Sequence, residues 1–180
     1  MQASSHFLTL ARHHLWATER VLNAVQNLSD ADYRRDVGLF FHSIHGTLNH
    51  LLVVEHQLWW QRLTCGESPH VDLRSTVHEE RALVDVQMRS LSARWQAWVP
   101  NVSATHWSSA LRYLNLRGDL IEVPVTTALT HVFQHAVHHR GQITAALTHL
   151  GAASPELDLI YCLQGSPSYE DGAKPIFSLV

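Results

Sequence analysis

Four histidines fall within nine residues, at His131, His135, His138 and His139. Three of them recur every fourth residue, so on a helix they stand above one another on one face. Two neutral imidazoles spaced in this way can share one metal ion, at about 2.0–2.1 Å per nitrogen. On a wheel of about 100° per residue, His131, His135 and Gln142 lie close together, His139 borders the apolar sector and His138 falls on the polar side. A metal inside a bundle wants ligands near the core seam, where competing water is excluded. His135 and His139 are therefore the better pair, and they need a third ligand.

A second stretch offers candidates for it: His42, His45, His50 and His56. The wheel favours His50 slightly, because it lies nearest the boundary of the apolar face. It sends His42, His45, Asn49 and His56 almost opposite, to the outer surface or a subunit contact. Spacing alone leaves the choice open.

The elements that must carry these residues are helices. Residues 4–27 read as the first, with Leu8, Leu10, Ala11, Leu15, Trp16, Val21, Leu22 and Val25 as its apolar stripe. Residues 42–63 read as the second, with Ile44, Leu48, Leu51, Leu58 and Trp59 facing the core. Residues 75–99 read as the third, capped by Ser75 or Thr76 and burying Leu83, Val84, Val86, Met88, Leu91, Trp95 and Trp98. Around Arg117-Gly118-Asp119, residues 107–123 change period and predict a β-hairpin. Residues 125–149 read as the fourth helix and 154–163 as a short terminal one. The expected fold is all-α: an up-down four-helix bundle with a short β-hairpin between helices 3 and 4. One domain spans residues 1–164, and a Ser/Pro/Gly-rich tail covers 165–180.

Composition narrows the function. A formal charge of −3 gives no general attraction to nucleic acid or anionic membrane. No apolar run approaches the length of a membrane span, and the first residues do not form a signal peptide. Cys65 and Cys162 are far apart, which fits a reducing cytoplasm. The 15 histidines are the outlier. The Glu-x-x-His pattern of di-iron bundles is absent from the four helices, as are His-Glu-x-x-His, phosphate loops and nucleophile elbows. Cys65 reads as an incidental loop thiol and the tryptophans as core. Arg140 falls in the apolar sector, where a buried guanidinium must find a carboxylate or backbone carbonyls.

The string from Phe133 to Gln142, with His135, His138, His139, Arg140 and Gly141, resembles the hallmark of the DinB/YfiT-like proteins. So does the stretch from Phe40 to Leu52. His14-Leu15-Trp16-Ala17 is similar to the family's first-helix motif, with histidine where the family often has asparagine. Asp158-Leu159-Ile160-Tyr161 is similar to its C-terminal segment. The resemblance covers about residues 5–164. It implies a four-helix bundle, often a homodimer, with a divalent metal held by His50, His135 and His139. Zinc and nickel are the metals it suggests. Better-known relatives work with low-molecular-weight thiols in transfer or isomerisation, so a small-molecule thiol and an electrophile are the partners it implies. A thiol meeting such an ion would lose its proton, and water, as in a metal-dependent hydrolase, is the alternative nucleophile. The same three histidines equally suit a non-catalytic metal-binding or stress-response protein, since ligand spacing does not report turnover. His131, His138 and Tyr161 are left for supporting or surface roles.

Overall fold

Phe7, Ala11, His14, Thr18, Val21 and Val25 recur at alternating intervals of three and four and are all buried on α1 (Ala3–Val25). The expected stripe is thus turned by about one residue: Leu15 and Trp16 are half-buried, and the polar His14 and Thr18 point inward. This computed structural model describes residues 3–164, so the 165–180 tail lies outside the described residues.

A short α2 (Asp30–Arg34) follows, capped by the Ser29 hydroxyl. The second long helix starts at Ser43, whose side chain accepts from the Gly46 amide. It runs as α3 (Ile44–Leu51), passes through a π-helical stretch (Leu52–Trp59) and ends as α4 (Trp60–Thr64). The third helix, α5 (Arg81–Trp98), begins six residues later than residue 75, and neither Ser75 nor Thr76 caps it. It buries Val84, Met88, Ser92 and Trp95, whereas Leu83 and Val86 are exposed. Beyond a 3₁₀ turn (Val99–Asn101) and α6 (Ala104–Trp107) comes the hairpin, β1 (Ala110–Leu114) paired antiparallel with β2 (Leu120–Pro124). Its loop closes through Asn115, whose side-chain oxygen accepts from the Arg117 and Asp119 amides, with Gly118 at φ +87°. The fourth long helix is α7 (Val125–His149). The terminal helix, α8 (Leu159–Gln164), is shorter than expected, and Pro155 lies outside it.

The fold is the expected four-helix bundle, mostly helical with one small sheet. Two hydrophobic clusters fill its ends. One joins Phe7, Trp59, Trp95, Leu129 and Phe133; the other joins Leu22, Leu48, Met88, Ile143 and Leu147. Reading each helix from one cluster to the other gives its direction. The first and second long helices run antiparallel, and so do the third and fourth. Between the second and third, residues 65–80 carry the chain back along the bundle, so these two helices run parallel and the order is not the up-down one expected. α1 therefore packs chiefly on α5 and α7, and the second helix lies diagonally across from it. Between the clusters lies a polar layer of His14, Thr18, Glu55, His56, Ser92 and Arg140, to which all four helices contribute.

Among the described residues no helix is long and apolar enough to cross a membrane.

Candidate metal centre

Three imidazole Nε2 atoms converge beside α7. His135 Nε2 lies 3.4 Å from His50 Nε2 and 3.2 Å from His139 Nε2. Ligand atoms from the three residues all fall within 4.8 Å of one another. Tetrahedral coordination at the usual zinc–nitrogen length separates neighbouring nitrogens by about 3.3 Å. The spacing therefore suits one divalent ion.

The protonation pattern is set from outside the cluster. His50 Nδ1–H donates to the Leu73 carbonyl at 2.9 Å. His139 Nδ1–H donates to Gln142 Oε1 at 2.8 Å, while the Gln142 amide donates to His138 Nε2 at 3.2 Å. Both rings thus leave an unprotonated Nε2 aimed inward. Burial is the main reason the three rings stay neutral. It pushes His135 down to about 3, helped by His139 and His50, and His139 down to about 4 against the pull of Gln142. Burial also lowers His50, opposed by the Leu73 carbonyl. The inward lone pairs of His50 and His139 both converge on His135 Nε2, so either the His135 proton or a cation must lie among them, and the all-imidazole donor set fits a divalent ion. It contains no carboxylate, so the ion would keep its full charge.

Phe41 forms a wall of the site. Its ring stacks on His50 with centroids 3.8 Å apart and planes 19° from parallel. The approach requires Gly46, because a Cβ there would meet the Phe41 carbonyl oxygen at 2.1 Å. The return segment is fixed by Asn49, whose side chain bonds both the carbonyl and the amide of His78 at 3.2 and 2.9 Å. This is the segment that supplies the Leu73 carbonyl.

Two cavities meet at the cluster and share His50, His135 and Leu73. One, about 490 Å³, runs under the hairpin past Trp59, Arg62, Tyr113 and His131. The other, about 460 Å³, is bounded by Phe40, Phe41, Arg74, His138 and Gln142.

Of the candidates from the second helix, only His50 reaches the pair. His42 precedes the helix, at φ 66°, and is exposed beside Asp36. His45, Asn49 and His56, expected outside, are buried. The π-helical stretch explains part of this correction: its i→i+5 bonds widen each turn, and a wheel built for an α-helix misplaces residues from there onward. His131 and His138 are exposed at the rim, and Tyr161 is exposed on α8.

Sequence reasoning placed Arg140 inward but missed what it meets there, His14 and Glu55. Arg140, next in sequence to His139, donates from Nη1 to His14 Nδ1 at 3.1 Å. His14 must then carry its proton on Nε2, which faces Glu55 Oε2 at 3.4 Å. His56 Nε2 lies 3.7 Å from the same oxygen. Arg140 thus meets a histidine directly, with the Glu55 carboxyl lying beyond it. Burial pushes Glu55 up to about 8, against Arg140, and pulls His14 and His56 well below the usual histidine range. The inward three-four repeat on α1 was the available signal for His14.

Fold and site together define a four-helix-bundle protein with a three-histidine cluster suited to a divalent ion. The chain belongs to the DinB family, whose profile matches residues 1–170. It is 24% identical over 156 residues to the Protein DinB of Bacillus subtilis (strain 168), a match covering 83% of this chain and 88% of the relative. Among solved structures it resembles YfiT from Bacillus subtilis, described as a probable metal-dependent hydrolase with an unusual four-helix bundle topology. That likeness has a TM-score of 0.59 at 14% identity and covers 83% of this chain and 89% of YfiT.

Proposed function

We propose that this protein is a divalent-metal enzyme, with zinc or nickel held by His50, His135 and His139, that transfers a low-molecular-weight thiol to an electrophile. The observation that carries the metal reading is the convergence of three Nε2 atoms, two of which, on His50 and His139, are left unprotonated because their opposite ring nitrogens are already bonded. When bound, a divalent ion with three neutral ligands and an open position supplies Lewis acidity that lowers the pKa of a thiol or a water. Leu73 and Gln142 hold the rings in the ligating tautomer, and Phe41 keeps water off one face of His50. His131, in the cavity under the hairpin, is placed to accept the proton that a thiol gives up. Two cavities meeting at one centre suit a reaction of two substrates: the new sulfur–carbon bond forms as the electrophile's leaving group departs with its electron pair.

Hydrolysis is the second reading, favoured by the likeness to YfiT; water replaces the thiol and the residue roles are unchanged. A homodimer and a cytoplasmic setting complete the proposal.

Metal analysis of purified protein should find about one divalent ion per chain, lost on His135→Ala. A panel of small thiols with activated electrophiles should give turnover that His50→Ala abolishes and His42→Ala leaves intact. Metal without turnover for any thiol would reject transfer, and hydrolysis of activated esters by the same protein would then select the second reading.

A further inference from the structure

Arg62 on α4 is a buried cation without an anion. It is 4% exposed. Its guanidinium lies between two rings, 4.8 Å from the centroid of Trp59 and 4.2 Å from that of Tyr113. Nη2 donates to the Leu114 carbonyl at 2.9 Å, which ties the hairpin to the helix. Nε is fully buried with no acceptor. Among the described residues, Nη1 forms no hydrogen bond and no aspartate or glutamate pairs with the group. A guanidinium has five donors, and one withdrawn from water is costly unless paired. A single bond to a backbone carbonyl does not need that charge; a glutamine could make it.

The missing anion has a place to sit. Arg62 lines the same cavity of about 490 Å³ that His50 and His135 border. Ring contacts lead from Trp59 to His131 at 5.0 Å and from His131 to His135 at 5.7 Å. The cavity walls between Arg62 and the histidines are largely apolar or aromatic, including Leu58, Trp59, Tyr113 and Leu116. The other cation there is Arg117, in the exposed hairpin loop. A doubly charged phosphate would find too few donors in such a pocket, whereas a singly charged carboxylate matches one guanidinium edge.

We infer that Arg62 receives the carboxylate of the small molecule that meets the three-histidine centre. The substrate is an acid with an apolar spacer of several atoms between its reactive end and its carboxylate. This rests on the metal reading above and adds the substrate class to it.

The test uses cobalt-loaded protein and two thiols of equal length, 6-mercaptohexanoate and 6-mercaptohexanol. Binding is read from the thiolate-to-cobalt absorption band. The acid should bind at least about tenfold more tightly, the worth of one charge-assisted pair. Arg62→Met should bring the ratio within about threefold of unity by weakening the acid alone. If that variant fails to fold, Arg62→Gln, which can keep the Leu114 bond, replaces it. A purely structural Arg62 would weaken both thiols together and leave their ratio unchanged. Equal affinities in the wild type, or a preference that survives in the variant, overturn the inference. If neither thiol gives the band, the thiol reading fails separately. Calorimetric titration of adipate against 1,6-hexanediol on the same cobalt-loaded protein then decides the carboxylate site by the same ratio and the same variant.

Discussion

Gln142 shows what one side chain does for a cluster it never enters. It fixes the His139 tautomer from one end and is itself oriented by His138 at the other. Outer partners of this kind are worth about 10–100-fold in metal affinity. Gln142→Ala should lose that much in a competitive chelator titration, and His138→Ala, which only orients the glutamine, should lose less. Glu55 makes the pH prediction. Its carboxyl is held near 8 when folded and returns to the ordinary value of 4.5 when unfolded. Between those values the folded protein keeps a proton that the unfolded chain has lost, so this residue's contribution to stability falls as pH rises. The buried His14 and His56 act in the opposite sense below the ordinary histidine value. The comparison must therefore be between wild type and Glu55→Gln, where those contributions cancel. Denaturant unfolding from pH 5 to 8 should show the variant gaining steadily on the wild type; a constant difference would mean that Glu55 is ionised throughout.

At the scale of elements, the second long helix is the unusual part. Its first turns carry His50, its π-helical middle turns Glu55 and His56 into the bundle, and its last turn carries Arg62. The turn before it packs directly on its backbone at Gly46. Gly46→Ala should force the Phe41 carbonyl away, at a cost of about 1–3 kcal/mol as for other overpacked sites. Phe41 would leave His50 at the same time, so metal affinity should fall with stability. Denaturation and a metal titration on the same variant check both. An intact metal affinity at reduced stability would mean that Phe41 is not needed to hold the ring.

For the whole molecule, the three histidines come from two helices brought together only in the folded bundle, with an orienting carbonyl from the long return segment. The unfolded chain does not present that set, so ligand binding is linked to folding. Metal at about 100 times its dissociation constant should add about 2.7 kcal/mol to the unfolding free energy. Wild-type protein should therefore melt higher with zinc or nickel and lower after chelation. His135→Ala should melt at one temperature in both conditions.

The sequence by itself determined the four helices, the hairpin, the His135/His139 pair and the inward position of Arg140, because all of these are local periodicities. It could not decide among His42, His45, His50 and His56 without family resemblance. Helix rotation depends on a π-helical turn that local spacing does not announce, and on Asn49 gripping a segment 29 residues away. Only the tertiary structure supplied the Leu73 carbonyl, a backbone group with no side-chain signature. It alone also set Arg62 under the hairpin without a carboxylate, since the pairing of a buried charge is a property of everything packed around it.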